Sequence, residues 1–337
     1  MNDFQHQQAG HCESGVTSSL LGHYGLPLSE PMALGLSSAI TFAHFPFLRT
    51  GGIAITAFRM PPGAVYRGLR RCLGIRMQEQ RYRDPAAASA ALDERLAAGE
   101  IAGLQTSVYW LPYFPPDMRF HFNAHNLIVY AREGDDYWIS DPVFETPQRC
   151  SRAALEVARF AKGKFAPRGL MYYPVHWPQD IDHAQAGRRA IRRTCRLMLH
   201  APVPWVGVRG IRRLAATLGR LDKTVTREGR QLVSSIIRMQ EEIGTGGGGF
   251  RFMYAAFLQE LGQRLDDDLL REAEAKVTQA GDSWRLFALD GVHYCRGKGN
   301  VTSGNLQQRL LQCADHEEAA FRLLARFRPG KTPSLRR

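Results

Sequence analysis

Cys12 stands in GHCESGVTSSLLGHYG, where a thiol opens a stretch with helical spacing. Far along the chain, HNLIVYAREGDDYWISDP supplies His125 and Asp141. A nucleophilic sulfur, an imidazole base and a carboxylate that fixes its tautomer are the parts of a cysteine-dependent acyl-transfer site. The start of a helix lowers a thiol pKa, because its partial positive charge favours the thiolate. The Cys12 N–H is a natural oxyanion donor, and Gln7 or Gln8 offers a second one. Each of these residues taken alone has a plainer reading, since a cysteine near a helix start is usually packing. Their order and context carry the functional reading.

The elements that must hold them can be read from pattern. Val16, Leu20 and Leu21 share one face of a helix after Cys12, which the Gly25–Pro27 region ends. Apolar runs at His125–Ala131 and Tyr137–Ser140 flank the polar turn Glu133–Asp136, which predicts a hairpin. Antiparallel pairing then brings His125 and Asp141 together, although they are far apart in sequence. His121 is the rival base, but it precedes the strand. Trp110, Tyr113, Phe114, Phe120 and Phe122 could line an acyl pocket or simply fill a core.

Residues 1–175 read as mixed α and β, with a further helix over Pro85–Gly99, strands over Leu34–Phe58 and a last strand at Leu170–Tyr173. The texture changes at PVHWPQDID, read as a linker. Helical patterns follow at roughly 186–200, 205–220, 226–242, 250–264, 266–290 and 304–327. The expectation is an α+β fold with a catalytic domain over 1–175, a mainly helical domain over 183–327 and a disordered basic tail over 328–337.

Composition narrows the class. An apolar share of 44% supports a buried core. No apolar run reaches the ~20 residues a membrane span needs, and the N-terminus lacks a basic start followed by an apolar stretch, so the expected location is cytoplasmic. The six cysteines are scattered without zinc spacing, which predicts reduced thiols and no metal. The Asp266–Asp268 run lacks the spacing of a calcium loop and fits a helix cap. The net charge is +12, and the stretch His183–Arg220 holds nine arginines and no acidic residue. Such a face attracts an acidic partner or is simply a solvated helix face; the absence of a recognition motif argues against nucleic acid. GTGGGG at 244–249 before an apolar helix could offer N–H groups to a phosphate, with Arg251 nearby, or could be a packed turn.

The blocks HCESGVTSSLLGHYGLPLSEPMALGLSSAI, SVYWLPYF and HFNAHNLIVYAREGDDYWISDP resemble the N-terminal domain of the butirosin-biosynthesis acyltransferase family, BtrH. EIGTGGGGFRFMYAAFLQELG and DSWRLFAL are similar to the uncharacterised domain that usually follows it. The resemblance implies a papain-like fold used for acyl transfer, with Cys12 as nucleophile, His125 as base and Asp141 as orienting acid. It also implies an acyl carrier protein as donor, with the acyl group on 4′-phosphopantetheine, no cofactor bound by the enzyme, and an amine or hydroxyl acceptor. The turn carries Tyr130, Ala131 and Arg132 where the family tends to have Gly-Tyr-Asp. A cysteine peptidase or thioesterase, with water as acceptor, would use the same three residues.

Overall fold

The computed structural model describes residues 3–221, 226–298 and 300–328. In chain order its elements are α1 (Cys12–His23), α2 (Glu30–Leu36), β1 (Ile40–Thr50), β2 (Ile53–Arg59), α3 (Ala64–Leu73), β3 (Arg76–Gln80), α4 (Pro85–Ala97), β4 (Ala102–Thr106), β5 (His125–Glu133), β6 (Asp136–Ser140), β7 (Gln148–Ser151), α5 (Arg152–Arg159) and β8 (Met171–His176). Six helices follow: α6 (His183–His200), α7 (Gly207–Leu218), α8 (Arg227–Glu241), α9 (Arg251–Leu265), α10 (Asp268–Arg296) and α11 (Ser303–Leu324). The mixed first half and helical second half expected from pattern are both present. The tail beyond Arg328 lies outside the described residues.

The chain forms two compact units, Met1–Ala33 with Val65–Asp180 and Leu34–Ala64 with Ile181–Arg337. In the first, an antiparallel sheet has the order β3-β8-β4-β5-β6-β7. The β5–β6 hairpin is closed by Gly134 and Asp135, with Glu133 opposite Asp136 and Gly134 at φ 61°. One sheet face meets α1 through Val16, Leu20, Ile128 and Tyr172. The other packs Leu104, Leu127, Val129 and Ile139 against Leu92 of α4 and Leu155 of α5. Pro174, read as the start of a linker, belongs instead to β8 and pairs with Met77 of β3. That partner strand, RMQEQ, is too polar to announce itself.

In the second unit β1 and β2 form a hairpin. Residues 34–64, expected with the N-terminal domain, pack here because their aromatic side chains do. Trp284 of α10 is fully buried between Phe42 of β1, at 5.6 Å, and Phe58 of β2, at 5.1 Å. Its indole N–H donates to Glu317 Oε1 at 2.6 Å. That carboxylate pairs with the buried Arg251 at 2.7 and 3.1 Å, and Arg251 also donates to the Gly249 carbonyl at 2.6 Å.

Of the two readings of GTGGGG, the packed turn is the one that forms. Arg251 is held inward by a carboxylate 66 residues away. The Gly248 N–H donates to the Glu241 carboxylate and the Gly247 N–H to Thr245 Oγ1. Glycine is required for packing: Gly249 sits at φ 58°, and a Cβ there would fall 2.3 Å from the Phe58 ring. Gly249→Ala is therefore expected to lose about 2–4 kcal/mol, combining the left-handed penalty with overpacking. Urea unfolding followed by tryptophan fluorescence reads this; an unchanged midpoint would contradict it.

Candidate active site

Cys12 is the first residue of α1, as the pattern predicts. The helix is capped by His11, whose Nδ1 accepts from the Ser14 N–H at 3.2 Å. The segment before the sulfur is clamped by Glu30, whose carboxylate accepts the Gly10 and His11 N–H groups at 2.8 Å each and the Ser14 hydroxyl at 2.9 Å. Burial, opposed by these three donors, raises the Glu30 pKa. The Ala9 N–H reaches across to the Pro142 carbonyl at 3.0 Å, tying this segment to the turn after Asp141. Gly15 permits the approach, since a Cβ there would lie 2.4 Å from Ala9 and 3.4 Å from Pro142.

His125 opens β5 and Asp141 follows β6, and both are buried. His125 Nε2 lies 2.7 Å from Asp141 Oδ2. The same oxygen accepts the Tyr113 hydroxyl at 2.9 Å, and Oδ1 accepts the Val143 N–H at 3.1 Å. The Phe114 ring meets the imidazole edge-on at 5.6 Å. With Nε2 on the carboxylate, Nδ1 is the nitrogen left for the thiol, and Cys12 hydrogen-bonds His125. Burial by itself would lower the His125 pKa. The Asp141 charge and hydrogen bond, with Cys12 adding to them, override that and raise it to about 10. A protonated imidazole beside the sulfur and the helix N-terminus above it both favour thiolate.

The structure thus brings Cys12, His125 and Asp141 together. It does not bring in His121, which is exposed and stacks on Tyr109 at 4.0 Å. Of the other candidates, Gln7 is exposed and Gln8 donates to the Val143 carbonyl at 3.3 Å. Tyr113 and Phe114 line the imidazole and its carboxylate, whereas Phe120 and Phe122 pack on the sheet core and Trp110 is exposed. Pattern reading missed Tyr113 as a donor to Asp141 and missed Glu30 and Asn126 altogether. Asp267 caps α10 through the Leu270 N–H. Among the described residues no His/Cys/Asp/Glu group could hold a metal, and no helix is long and apolar enough to cross a membrane. All six cysteines stand outside any disulfide, and burial pushes Cys150 and Cys195 up to about 12.

A cysteine opening a helix, facing a histidine that opens one strand and a carboxylate just past the next, is an arrangement that a papain-like fold accommodates. The chain belongs to the family described as a domain of unknown function, DUF4872, which matches residues 153–324. Residues 11–142 match the family described as butirosin biosynthesis protein H, N-terminal, so a BtrH-like, papain-like domain precedes the helical part. No curated protein matches the chain. Among solved structures, a C39-like peptidase from Bacillus anthracis is similar at 12% identity and a TM-score of 0.36, over 52% of this chain and 95% of that one.

The His125 shift fixes a pH dependence. A pKa raised on folding, from 6.5 to about 10, contributes stability that is fully present below pH 6.5 and lost as pH rises through about 10. Asp141→Asn is expected to cost roughly 3–5 kcal/mol at neutral pH. The gap to wild type should be full near pH 6 and close above pH 10 in urea unfolding across that range. A gap that widens with rising pH would be inconsistent with an imidazolium held by Asp141.

Proposed function

We propose that this protein is an acyltransferase that moves an acyl group from an acyl carrier protein thioester to an amine, or a hydroxyl, in specialised-metabolite biosynthesis. The observation that carries the proposal is the divided histidine: Nε2 held by Asp141 and the opposite edge bonded to Cys12. The Cys12 thiolate attacks the thioester carbonyl, a new S–C bond forms, and the carrier thiolate leaves with the proton of His125. An acceptor amine then attacks the acyl-enzyme, His125 takes its proton, and the Cys12 thiolate departs. A thioester is already activated, so the reaction requires no nucleotide, and the enzyme needs no bound cofactor for it. The match of residues 11–142 to the butirosin protein favours transfer over hydrolysis.

Charge supports an acidic carrier as donor. On α6, Arg188, Arg192 and Arg196 recur every fourth residue and are exposed. With Arg328 they rim a cavity of about 640 Å³ whose floor includes Ile191 and Phe327. Carrier proteins present acidic helices, and complementary fields speed and orient docking.

Intact-mass analysis after mixing with acyl-carrier thioesters is expected to show an acyl adduct on wild type and none on Cys12→Ala. Added amine should discharge that adduct into an amide, and Arg192→Glu with Arg196→Glu should slow loading from the carrier about tenfold or more at low salt. Rapid hydrolysis that ignores amine would reject transfer in favour of a thioesterase or peptidase.

A further inference from the structure

We infer that Asn126 is the side-chain donor of the oxyanion hole, the group that binds the carbonyl oxygen as Cys12 is acylated. The inference rests on Cys12 being the nucleophile, as proposed above. Asn126 follows His125 on β5 and is buried. Its amide is held on two sides. One Nδ2–H donates to the Ala124 carbonyl at 3.0 Å, and Oδ1 accepts the Tyr172 hydroxyl at 2.9 Å. A carbonyl can only accept, so the nitrogen must lie on the Ala124 side and the oxygen on the Tyr172 side. Tyr172 is itself fully buried and stacked on Tyr66 at 5.3 Å. Burial keeps its phenol protonated, and therefore a donor, throughout the working range.

These contacts leave one N–H of Asn126, and it faces Cys12 Sγ at 3.9 Å. That separation is long for a resting hydrogen bond but leaves room for an oxygen. When Sγ bonds to a carbonyl carbon, the carbonyl π pair moves onto oxygen, which takes up a position beside the sulfur. An Nδ2 donor would then lie at about the 2.7–3.1 Å an oxyanion needs. A donor loosely engaged at rest and tightly engaged in the intermediate stabilises the transition state more than the ground state. The Cys12 backbone N–H, at the first position of α1, would be the second donor. Gln7 and Gln8, the sequence-based candidates, do not have this geometry: one is exposed and the other is bonded to Val143. Asn126 is distinguished from them by being buried, oriented from both ends and aimed at the sulfur.

Two reagents separate this role from a structural one. p-Nitrophenyl acetate acylates a thiolate through a tetrahedral oxyanion: the S–C bond forms, the C–O bond breaks and p-nitrophenolate leaves. Iodoacetamide alkylates the same thiolate by displacing iodide at a saturated carbon, with no oxyanion. In Asn126→Ala the acylation burst is expected to slow about 10²–10³-fold, with alkylation of Cys12 kept within about twofold. Tyr172→Phe, which frees the amide to turn, should slow acylation about tenfold and leave alkylation alone; it serves as the readout where Asn126→Ala does not fold. Acylation within about threefold of wild type in Asn126→Ala, or equal loss of both reactions, would overturn the assignment. A burst that is missing in wild type, or that survives in Cys12→Ala, would instead sink the nucleophile itself, and this inference with it.

Discussion

The hydrogen bond between His125 Nε2 and Asp141, closed off from water, is the constraint on which the site depends. It settles which imidazole edge faces the sulfur. It also reverses the effect of burial, which alone would leave the ring neutral, and keeps a proton on it well above neutrality. Removing one member of such a buried pair leaves the other uncompensated, so the neighbours of Asp141 matter. Tyr113 and the Val143 N–H occupy the carboxylate from the other directions, and its two oxygens are engaged by three donors in all.

The sulfur is positioned by backbone as much as by side chain. Glu30 gathers the Gly10 and His11 N–H groups, and the Ala9–Pro142 bond joins the cysteine segment to the turn that carries Asp141. His6 adds a second tie, meeting Ser140 Oγ at 2.7 Å and the Phe144 carbonyl at 3.0 Å. Sulfur and carboxylate are therefore held on one piece of sheet and helix with little freedom to drift. The proposed chemistry needs that rigidity, because three residues distant in the chain must meet in one geometry.

Much of this was legible in the chain before any coordinates. The helix after Cys12 and the hairpin that presents His125 and Asp141 are local patterns, set by apolar periodicity and by one Gly134 turn. The groups that tune the site were not legible, for a physical reason. Tyr113 meets Asp141 across 28 residues, Glu30 meets Gly10 across 20, and Tyr172 meets Asn126 across 46. No local spacing encodes those meetings. The same distance effect left two readings of GTGGGG open, an anion cradle or a packed turn, since the far glutamate that holds Arg251, Glu317, cannot be seen locally. Residues 34–64 likewise pack by aromatic contacts with α10 that their own sequence does not reveal.

The account stands or falls on the charge state of the Cys12–His125 pair. Thiolate absorbance in the ultraviolet, recorded as wild type minus Cys12→Ala across pH, reads it directly. The predicted result is a thiolate already present near pH 6, below the ~8.5 of an ordinary thiol, and pushed to higher pH by Asp141→Asn. A thiolate that first appears near pH 8.5 in both proteins would mean that no ion pair forms and that the arrangement is packing.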